Sequence, residues 1–334
     1  MLAPAAVAAV VAVVVVAVSI WSELTTVAPR MNIAEVFGLF RPSAAAPASL
    51  GWAIEHDQRV NILWLARGGA GHDNPNFTDT ILVLSIRPAT GQATVVSLPR
   101  FLWVDIPALV HGGVSGKLYS AFALGAESDN PALRQQWRTA TGAGDLAAAT
   151  VAGVIGEPIA GWAAIDTATF REVVDALGDI RINVPAPLDD PFYPVDDRGR
   201  TMHIHFNRGW QEMNGERALE YARSRLSTSE TDRSGRQVLV MSALLDRLRT
   251  VHVGPALVRV IGALNQGALT NLLPSEMRQL DELLARVRLA NLTHVSVDET
   301  NVLRRQPIAE GDYILVPADG KLADVQRYVR AALP

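Results

Sequence analysis

The feature that most constrains the fold of this chain is a strand–helix–strand succession near its middle. Residues Ile159 to Ile165 form an apolar run of strand length, Thr167 to Leu177 carry the spacing of an amphipathic helix, and Ile180 to Val184 alternate as a second strand. Because a helix between two strands buries its apolar face by packing against a sheet, this order predicts a three-layer α/β domain.

Short apolar runs predict further strands on both sides of this unit. Val60 to Ala66 is one, and Thr80 to Ile86 with Ala93 to Leu98 form a β-hairpin around the turn at Pro88 to Gly91. Residues Pro185 to Arg200 are rich in proline and aspartate and predict a long loop. Helices are expected at Lys117–Leu124, Asp145–Ile155, Val238–Leu248, Gly254–Leu264, Ser275–Val287 and Leu322–Ala332, and further strands at Leu102–Ile106, Met202–Phe206, Val295–Val297 and Tyr313–Val316.

The composition bounds the class of protein. Of the 334 residues, 49% are hydrophobic and 19% are charged, which is typical of a globular chain with a large core. The net charge of −4 argues against a protein whose whole surface engages nucleic acid, but it is compatible with one local basic site. The absence of cysteine excludes disulfide frameworks and thiolate metal sites.

The N-terminal segment is an unbroken apolar run from Leu2 to Trp21, with no charge before Glu23. At a rise of about 1.5 Å per residue, about 20 residues cover the hydrocarbon core of a bilayer. We therefore expect a single transmembrane anchor at residues 1–22, a juxtamembrane segment and linker at 23–50, and one extracytoplasmic domain at 51–334. A cleaved signal peptide with a site near Ala28 is the competing interpretation.

An arginine-rich segment from Leu219 to Gln237, here called the arginine corner, is the clearest candidate site. Two of its arginines close one helical pattern, and the other two open the next, after a Ser/Thr-rich turn; they are Arg223, Arg225, Arg233 and Arg236. Guanidinium forks match phosphate oxygens two at a time, and a helix N-terminus adds N–H donors. The corner is thus suited to a polyanion. A solvated charged loop, with Glu220 and Glu230 as partners, is the alternative.

Acidic residues offer candidate metal ligands. Asp79 lies at the mouth of the second strand, close to a glycine-rich loop at 67–73 that has neither P-loop nor GxGxxG spacing. It is a candidate Mg²⁺ ligand, and a turn-capping aspartate is the alternative. The pairs Asp189–Asp190 and Asp196–Asp197 fit turn chemistry better than metal binding. His203 and His205 are expected to be exposed strand residues.

Several segments together resemble the LytR-CpsA-Psr family. They follow the family's order over about residues 58–250: Asn61–Leu65 with Thr78–Thr80, Ser97–Arg100, Lys117–Phe122, Val174–Gly178 with Asn183–Pro185, Asn214–Leu219, and the arginine corner itself. Each motif is weak alone, but six in order make chance agreement improbable.

The resemblance implies an α-β-α sandwich with a central mixed sheet and a hydrophobic pocket for a lipid tail. It further implies an extracytoplasmic phosphotransferase that moves a glycopolymer from a polyprenyl pyrophosphate carrier to a cell-wall acceptor, usually peptidoglycan. The membrane is a partner through the anchor, and nucleic acid is not expected. By position, Arg100, Arg223 and Arg225 would be catalytic, Arg233, Arg236, Gln237 and Lys117 would bind substrate, and Asp79 and Asp73 would hold Mg²⁺.

Two departures from the family pattern bear on activity. Family members often carry Leu-Gly-x-Asp after the first strand, whereas this chain has Leu65 to Gly68 without the aspartate, and Asp73 is the expected substitute. The common Pro-Arg-Asp is Pro-Arg-Phe, ending at Phe101. A catalytically weak protein that binds polyprenyl phosphates is therefore an alternative. A membrane-anchored transcription regulator is a further one, against which the acidic composition and the absence of a recognisable DNA-reading helix argue.

Overall fold

The computed structural model describes residues 50–69, 72–195, 199–224, 230–249, 255–287, 292–308 and 312–333. The predicted anchor at 1–22 and the linker up to residue 49 lie outside these ranges. Within them, no helix combines the length and the apolar character needed to cross a membrane.

The described elements follow one another in the order expected of an α/β domain. The strands are β1 Val60–Arg67, β2 Thr78–Arg87, β3 Gln92–Ser97, β4 Trp103–Leu109, β5 Gly112–Lys117, β6 Gly161–Asp166, β7 Ile180–Val184, β8 Leu188–Pro194, β9 Thr201–Phe206, β10 Gly209–Met213, β11 Leu269–Thr270, β12 Thr293–Ser296, β13 Leu303–Pro307 and β14 Tyr313–Pro317. The helices are α1 Leu50–Glu55, α2 Ser120–Gly125, α3 Gly142–Ile155, α4 Thr167–Leu177, α5 Gly215–Arg223, α6 Glu230–Arg249, α7 Pro255–Gly267, α8 Pro274–Arg286 and α9 Leu322–Ala332.

A six-stranded mixed sheet forms the centre, in the order β11-β6-β1-β2-β3-β12. The predicted hairpin is confirmed, since β2 pairs with β3 antiparallel, with Leu84 opposite Val95. Strand β1 pairs antiparallel with β2 and parallel with β6. The predicted strand–helix–strand unit is therefore part of this sheet through β6, while β7 pairs with β10 in a separate ribbon.

Both faces of the sheet are covered because its strands are apolar on both sides. In β1, Ile62 and Trp64 join a core with α1, α4, α5, α6, α7 and α8. The alternate residues Leu63 and Leu65 join a second core with α2, α3 and α9. Near-continuous apolar runs are what a sheet buried on both faces requires, and the result is the predicted arrangement of helices on either side of a sheet.

Helix α4 shows how local sequence sets an element's limits. The Asp166 side chain accepts a hydrogen bond of 2.8 Å from the Thr169 N–H at its start. At its end Gly178 adopts φ 75°, which few residues other than glycine tolerate. These two signals explain why the predicted boundaries of this helix agree with the structure.

The prediction of a long loop at Pro185–Arg200 is wrong. Residues Leu188–Pro194 form β8, which pairs antiparallel with β9, with a register irregularity between Asp190 and Tyr193. Leu188 and Tyr193 are buried in the core, so tertiary burial overrides the turn-forming composition. Asp196 and Asp197 lie outside the described residues. The helix expected from Lys117 instead begins at Ser120, because Lys117 ends β5.

The packing of α3 on β6 predicts the cost of adding one methyl group. A Cβ at Gly144 would overlap the indole ring of the buried Trp162, whereas a Cβ at Gly153 of the same helix meets nothing within 4 Å. We expect Gly144→Ala to lower the free energy of unfolding by about 1–3 kcal/mol through overpacking. The matched Gly153→Ala variant should be neutral or stabilising by up to about 1 kcal/mol.

Urea unfolding of both variants checks this prediction. If Gly144→Ala unfolded at the same urea concentration as Gly153→Ala, the close contact between α3 and Trp162 would be wrong.

Candidate active site

The arginine corner is formed by two helices. Helix α5 begins with an Asn214 cap, whose side chain accepts a hydrogen bond of 2.9 Å from the Arg217 N–H, and ends at Arg223. Helix α6 begins at Glu230 and carries Arg233, Arg236 and Gln237 in its first two turns. Arg225, the third residue predicted to be catalytic, lies outside the described residues.

Both described arginines and the glutamine of α6 at this corner are buried. Arg233, Arg236 and Gln237 are 5%, 6% and 8% exposed. A solvated charged loop would leave such side chains in water, so this alternative is wrong for the described part of α6. Buried guanidinium groups need acceptors or a negatively charged ligand around them.

Four of the predicted residues line one cavity of about 290 Å³, here called the arginine cavity: Asp79, Arg100, Arg223 and Arg233. Asp79 is the second residue of β2, and Arg100 follows β3, so the hairpin brings both to the same end of the sheet. Arg223 and Arg233 come from the helices above. Asp190 lines the same cavity, so three guanidinium groups face two carboxylates, and the remaining positive charge suits phosphate oxygens.

Asp79 and Arg100 are in direct contact. The Arg100 Nη1 donates to Asp79 Oδ1, and the two side chains are 16% and 26% exposed. The pair therefore sits at the cavity wall with part of each side chain accessible. A ligand that enters the cavity would meet both the guanidinium and the free carboxylate oxygen.

Magnesium is usually held by one or two carboxylates together with substrate phosphates and water. Asp79, with its carboxylate at a cavity lined by arginines, fits that pattern. Asp73 is exposed in the turn after β1 and does not line the arginine cavity. Within the described ranges, no group of three or more acidic or histidine residues could hold a metal by itself. A metal site here would need phosphate oxygens to complete it.

The two aspartates of β8 have other partners. Asp190 is buried, accepts from the Phe192 N–H, and accepts a hydrogen bond of 2.7 Å from the Ser224 hydroxyl. Asp189 is exposed and bonds His203 and His205 at 2.8 and 3.0 Å, which lowers the pKa of its carboxyl and raises that of His205. The expectation that these histidines are exposed is confirmed.

Arg236 has a different role from its neighbour Arg233. Its Nε donates to the Tyr221 carbonyl at 2.9 Å, and its Nη2 donates to the Ser224 carbonyl. These carbonyls belong to the end of α5, where helices leave acceptors unsatisfied. Burial raises the pKa of Tyr221 to about 12, against the opposing effect of Arg236. In this structure Arg236 holds the two helices of the corner together.

Lys117 and Phe101 lie beside the arginine cavity. The Lys117 Nζ bonds Asp312 at 2.5 Å and lies 4.8 Å from the centre of the Phe101 ring. The Arg100 guanidinium carbon lies 4.5 Å from the same ring centre. The hydrogen bond from Lys117, with one from the Tyr313 N–H, lowers the pKa of Asp312. Phe101 therefore contacts both cations through its ring where a carboxylate would neutralise them.

A mainly apolar cavity of about 60 Å³, here called the apolar cavity, adjoins the arginine cavity. It shares Asp79 and Arg223 with the arginine cavity, and its other lining side chains include Gln237 and the apolar residues Trp64, Ala66, Ile165, Phe170, Leu219, Ala222 and Val240. At its wall Arg67 bonds Asp166 at 3.3 Å. Burial lowers the pKa of Arg67, and Asp166 opposes this effect.

Sequence reasoning missed contacts between residues that are far apart in the chain. Asp312 pairs with Lys117, and Ser224 ties β8 to the arginine corner through Asp190. The aspartate pair at 189–190 is visible in the sequence and could have suggested a polar contact, but the composition around it favours a turn. Nothing in the sequence near Asp312 points to Lys117.

The fold and these residues define a chain of the LytR_cpsA_psr family, to which this protein belongs. The family's sequence profile matches residues 41–329. The match therefore covers most of the chain, including all the described site residues named above.

The similarity of this chain to individual relatives is low in sequence identity. The chain is 26% identical over 223 residues to the polyisoprenyl-teichoic acid–peptidoglycan teichoic acid transferase TagU of Enterococcus faecalis, covering 66% of this chain and 63% of that relative. It thus spans less than two thirds of that relative's length. The crystal structure of Bacillus subtilis TagV matches with a TM-score of 0.60 at 20% identity, covering 83% of this chain and 98% of that one. A structure of TagT bound to LIIa-WTA matches with a TM-score of 0.58 at 20% identity, covering 82% and 91%.

The position of Arg236 predicts a stability effect that an exposed arginine would not show. Removing its side chain in Arg236→Ala leaves two carbonyls of the corner without their donors, which should cost about 2–4 kcal/mol of unfolding free energy. Arg327 is 75% exposed and pairs with Asp324 one helical turn away, so Arg327→Ala should cost less than about 1 kcal/mol.

Chemical denaturation of the two variants measures both values. An Arg236→Ala variant with wild-type stability that fails to bind a diphosphate would instead show that Arg236 contacts the ligand directly.

Proposed function

We propose that this protein is a phosphotransferase that moves a glycopolymer from a polyprenyl pyrophosphate carrier to a cell-wall acceptor such as peptidoglycan. The observation that carries the proposal is the convergence of Arg100, Arg223 and Arg233 with Asp79 on one cavity. The names of its relatives as teichoic acid transferases support the same class of reaction.

The arginine cavity and the apolar cavity differ in character as the two ends of such a substrate do, and this supports the proposal. A polyprenyl pyrophosphate has an apolar tail and a doubly charged headgroup. Arg223 lines both the apolar cavity and the arginine cavity, so it lies where the tail would meet the headgroup. Trp64 and Phe170 supply apolar surface on the tail side. We therefore expect the Arg223 guanidinium to lie between the polar and the apolar parts of the bound ligand.

The reaction would proceed by attack of an acceptor hydroxyl on the phosphorus nearer the glycan. A bond from the acceptor oxygen to phosphorus forms, the bond from that phosphorus to the bridging oxygen breaks, and polyprenyl phosphate leaves with the electron pair. Negative charge grows on the leaving phosphate. Preorganised guanidinium groups of Arg100, Arg223 and Arg233 would stabilise this charge without reorganising.

Magnesium is the expected cofactor, and Asp79 is the residue that we expect to hold it. When bound, the ion would supply further positive charge against the phosphate oxygens. Asp73 is the second ligand expected from the sequence. It stays a candidate, and a substitution at this position is tested beside the one at Asp79.

The proposed location is the outer side of the cell membrane, with residues 1–22 as a single-pass anchor. The support is the apolar run in the sequence and the lipid nature of the proposed substrate. An anchored domain would meet a membrane-embedded carrier without diffusing away from it.

A second candidate is a catalytically weak protein that binds polyprenyl phosphates without transferring them. Phe101 favours it, because its ring stands beside Arg100 where many relatives in the family have an acid. Measuring lipid binding and phosphate transfer in the same samples separates the two proposals.

Arg223→Ala tests the proposed site. We expect turnover of a polyprenyl pyrophosphate-linked glycan by the full-length protein to fall by about 10²–10³-fold, the usual effect of losing one transition-state donor. Arg225→Ala, at the position outside the described residues, should behave in the same way if the sequence-based role is correct.

Arg181→Ala is the matched control, because Arg181 is exposed and pairs with Glu212 on the ribbon of β7 and β10. Release of polyprenyl phosphate and binding of the lipid pyrophosphate are measured together. Equal turnover in the Arg223 and Arg181 variants would overturn the assignment of the arginine cavity.

Asp79→Asn tests the metal proposal. The Mg²⁺ concentration for half-maximal activity should rise at least about tenfold, since losing even a supporting group around a metal has effects of that size. Asp73→Asn is measured in parallel. If this Mg²⁺ concentration rose only in the Asp73 variant, the metal would be assigned to the turn after β1. If it rose in neither variant, the metal would be bound elsewhere.

A further inference from the structure

A serine and a histidine from different strands form a hydrogen-bonded pair near α6. Ser97 is the last residue of β3, and His294 lies in β12, which runs parallel to β3 with Val95 opposite His294. The Ser97 Oγ and the His294 Nε2 are 2.7 Å apart. This is the separation found between a hydroxyl and the base that activates it.

Ser97 lines a cavity of about 350 Å³, here called the serine cavity. The serine cavity shares Asp79 and Arg233 with the arginine cavity and Gln237 with the apolar cavity. Ser97 therefore lines a cavity that adjoins the proposed phosphate site. An acceptor hydroxyl approaching through this space would reach the phosphorus from the side of β3.

Four of the described carboxylates line the serine cavity: Asp232 is exposed at the start of α6, and the other three have the following partners. Asp79 bonds Arg100, Glu299 bonds Arg305 through two contacts of 3.1 Å, and Asp298 accepts from the Thr300 N–H and hydroxyl. The Ser97–His294 pair adds to this cavity a hydroxyl that is hydrogen-bonded to an imidazole, the kind of pair that takes a proton from an attacking hydroxyl.

The surroundings of His294 favour the neutral form of its ring. Burial lowers its pKa, and the carboxylate of Asp298 opposes this effect. Tyr328 of α9 and Asp232 and Arg236 of α6 also face it across a cavity of about 600 Å³. A neutral imidazole has one ring nitrogen that accepts, and the Ser97 hydroxyl lies at Nε2.

We propose that Ser97 and His294 form a proton relay for the acceptor hydroxyl, an inference that rests on the proposed function. The acceptor proton passes to Ser97 Oγ, and the serine's own proton passes to His294 Nε2, which becomes an imidazolium. The acceptor oxygen bonds to phosphorus, and polyprenyl phosphate leaves with the electron pair of the broken bond. The imidazolium then returns its proton to water. Ser97 touches the acceptor, and His294 acts through it.

The test uses the full-length protein, a polyprenyl pyrophosphate-linked glycan and peptidoglycan fragments. Turnover by Ser97→Ala and His294→Gln should fall by about 10²-fold or more, the usual contribution of a positioned base, while binding of the lipid pyrophosphate stays within about twofold. Ser97→Thr keeps a hydroxyl and should recover most of the activity.

The pH profile separates a relay from a structural hydrogen bond. Wild-type turnover should fall as the pH drops through the lowered pKa of His294, and this acidic limb should be missing in His294→Gln. Thr94→Val is the matched control, because the Thr94 hydroxyl ties the same strand to the Ala332 carbonyl at 3.3 Å. It should keep wild-type turnover and pH dependence.

Each outcome decides the proposal. Turnover of Ser97→Ala or His294→Gln within threefold of wild type, or an unchanged acidic limb in His294→Gln, would overturn the relay and leave the phosphotransferase intact. A loss that Thr94→Val shares would assign the pair to holding β3 against its neighbours. A wild-type protein with no turnover, or with turnover that survives Arg223→Ala, would overturn the proposed function itself.

Discussion

The burial of arginine side chains is the constraint on which the rest of this structure depends. A guanidinium carries five donors and stays charged under all ordinary conditions, so inside a protein it must be surrounded by acceptors. Arg236 donates hydrogen bonds to carbonyls at the end of α5, and these bonds fix α5 against α6. Arg223, the residue before Ser224, is thereby held at the mouth of the arginine cavity while Arg236 remains inside the corner.

Two layers of the fold contribute to the same site. Asp79 and Arg100 come from the sheet, while Arg223 and Arg233 come from the helices that cover it. The β8–β9 hairpin closes one side, because Asp190 bonds the Ser224 hydroxyl and Phe192 lines the cavity. Charge is therefore concentrated where three separate elements meet, each of them held by its own packing.

The sequence predicted what is encoded locally. Helix α4 was predicted with its observed limits because a capping aspartate and a glycine mark its ends, and the β2–β3 hairpin followed from two apolar runs around a turn. Arg100, Arg223, Arg233 and Asp79 were selected from motifs, and the structure brings them together. Their roles in binding and catalysis stay predictions.

What the sequence could not predict depends on distant contacts. The stretch at 185–200 has the composition of a loop, and only the burial of Tyr193 and Asp190 makes part of it a strand. Ser97 and His294 are 197 positions apart, and Lys117 and Asp312 are 195 apart, so no local pattern connects them. Arg236 resembles Arg233 in sequence, and only its hydrogen bonds to α5 distinguish the two.

Because the arginine cavity has walls from both layers, its width is set by how closely the helices pack on the sheet. Trp64 of β1 and Val240 of α6 both line the adjoining apolar cavity, so side chains of this kind determine the separation of the layers. Protein interiors are close-packed, and a change of one methylene group is transmitted to neighbours. The hydrophobic residues of the core therefore set the width of the arginine cavity as much as the arginines that line it do.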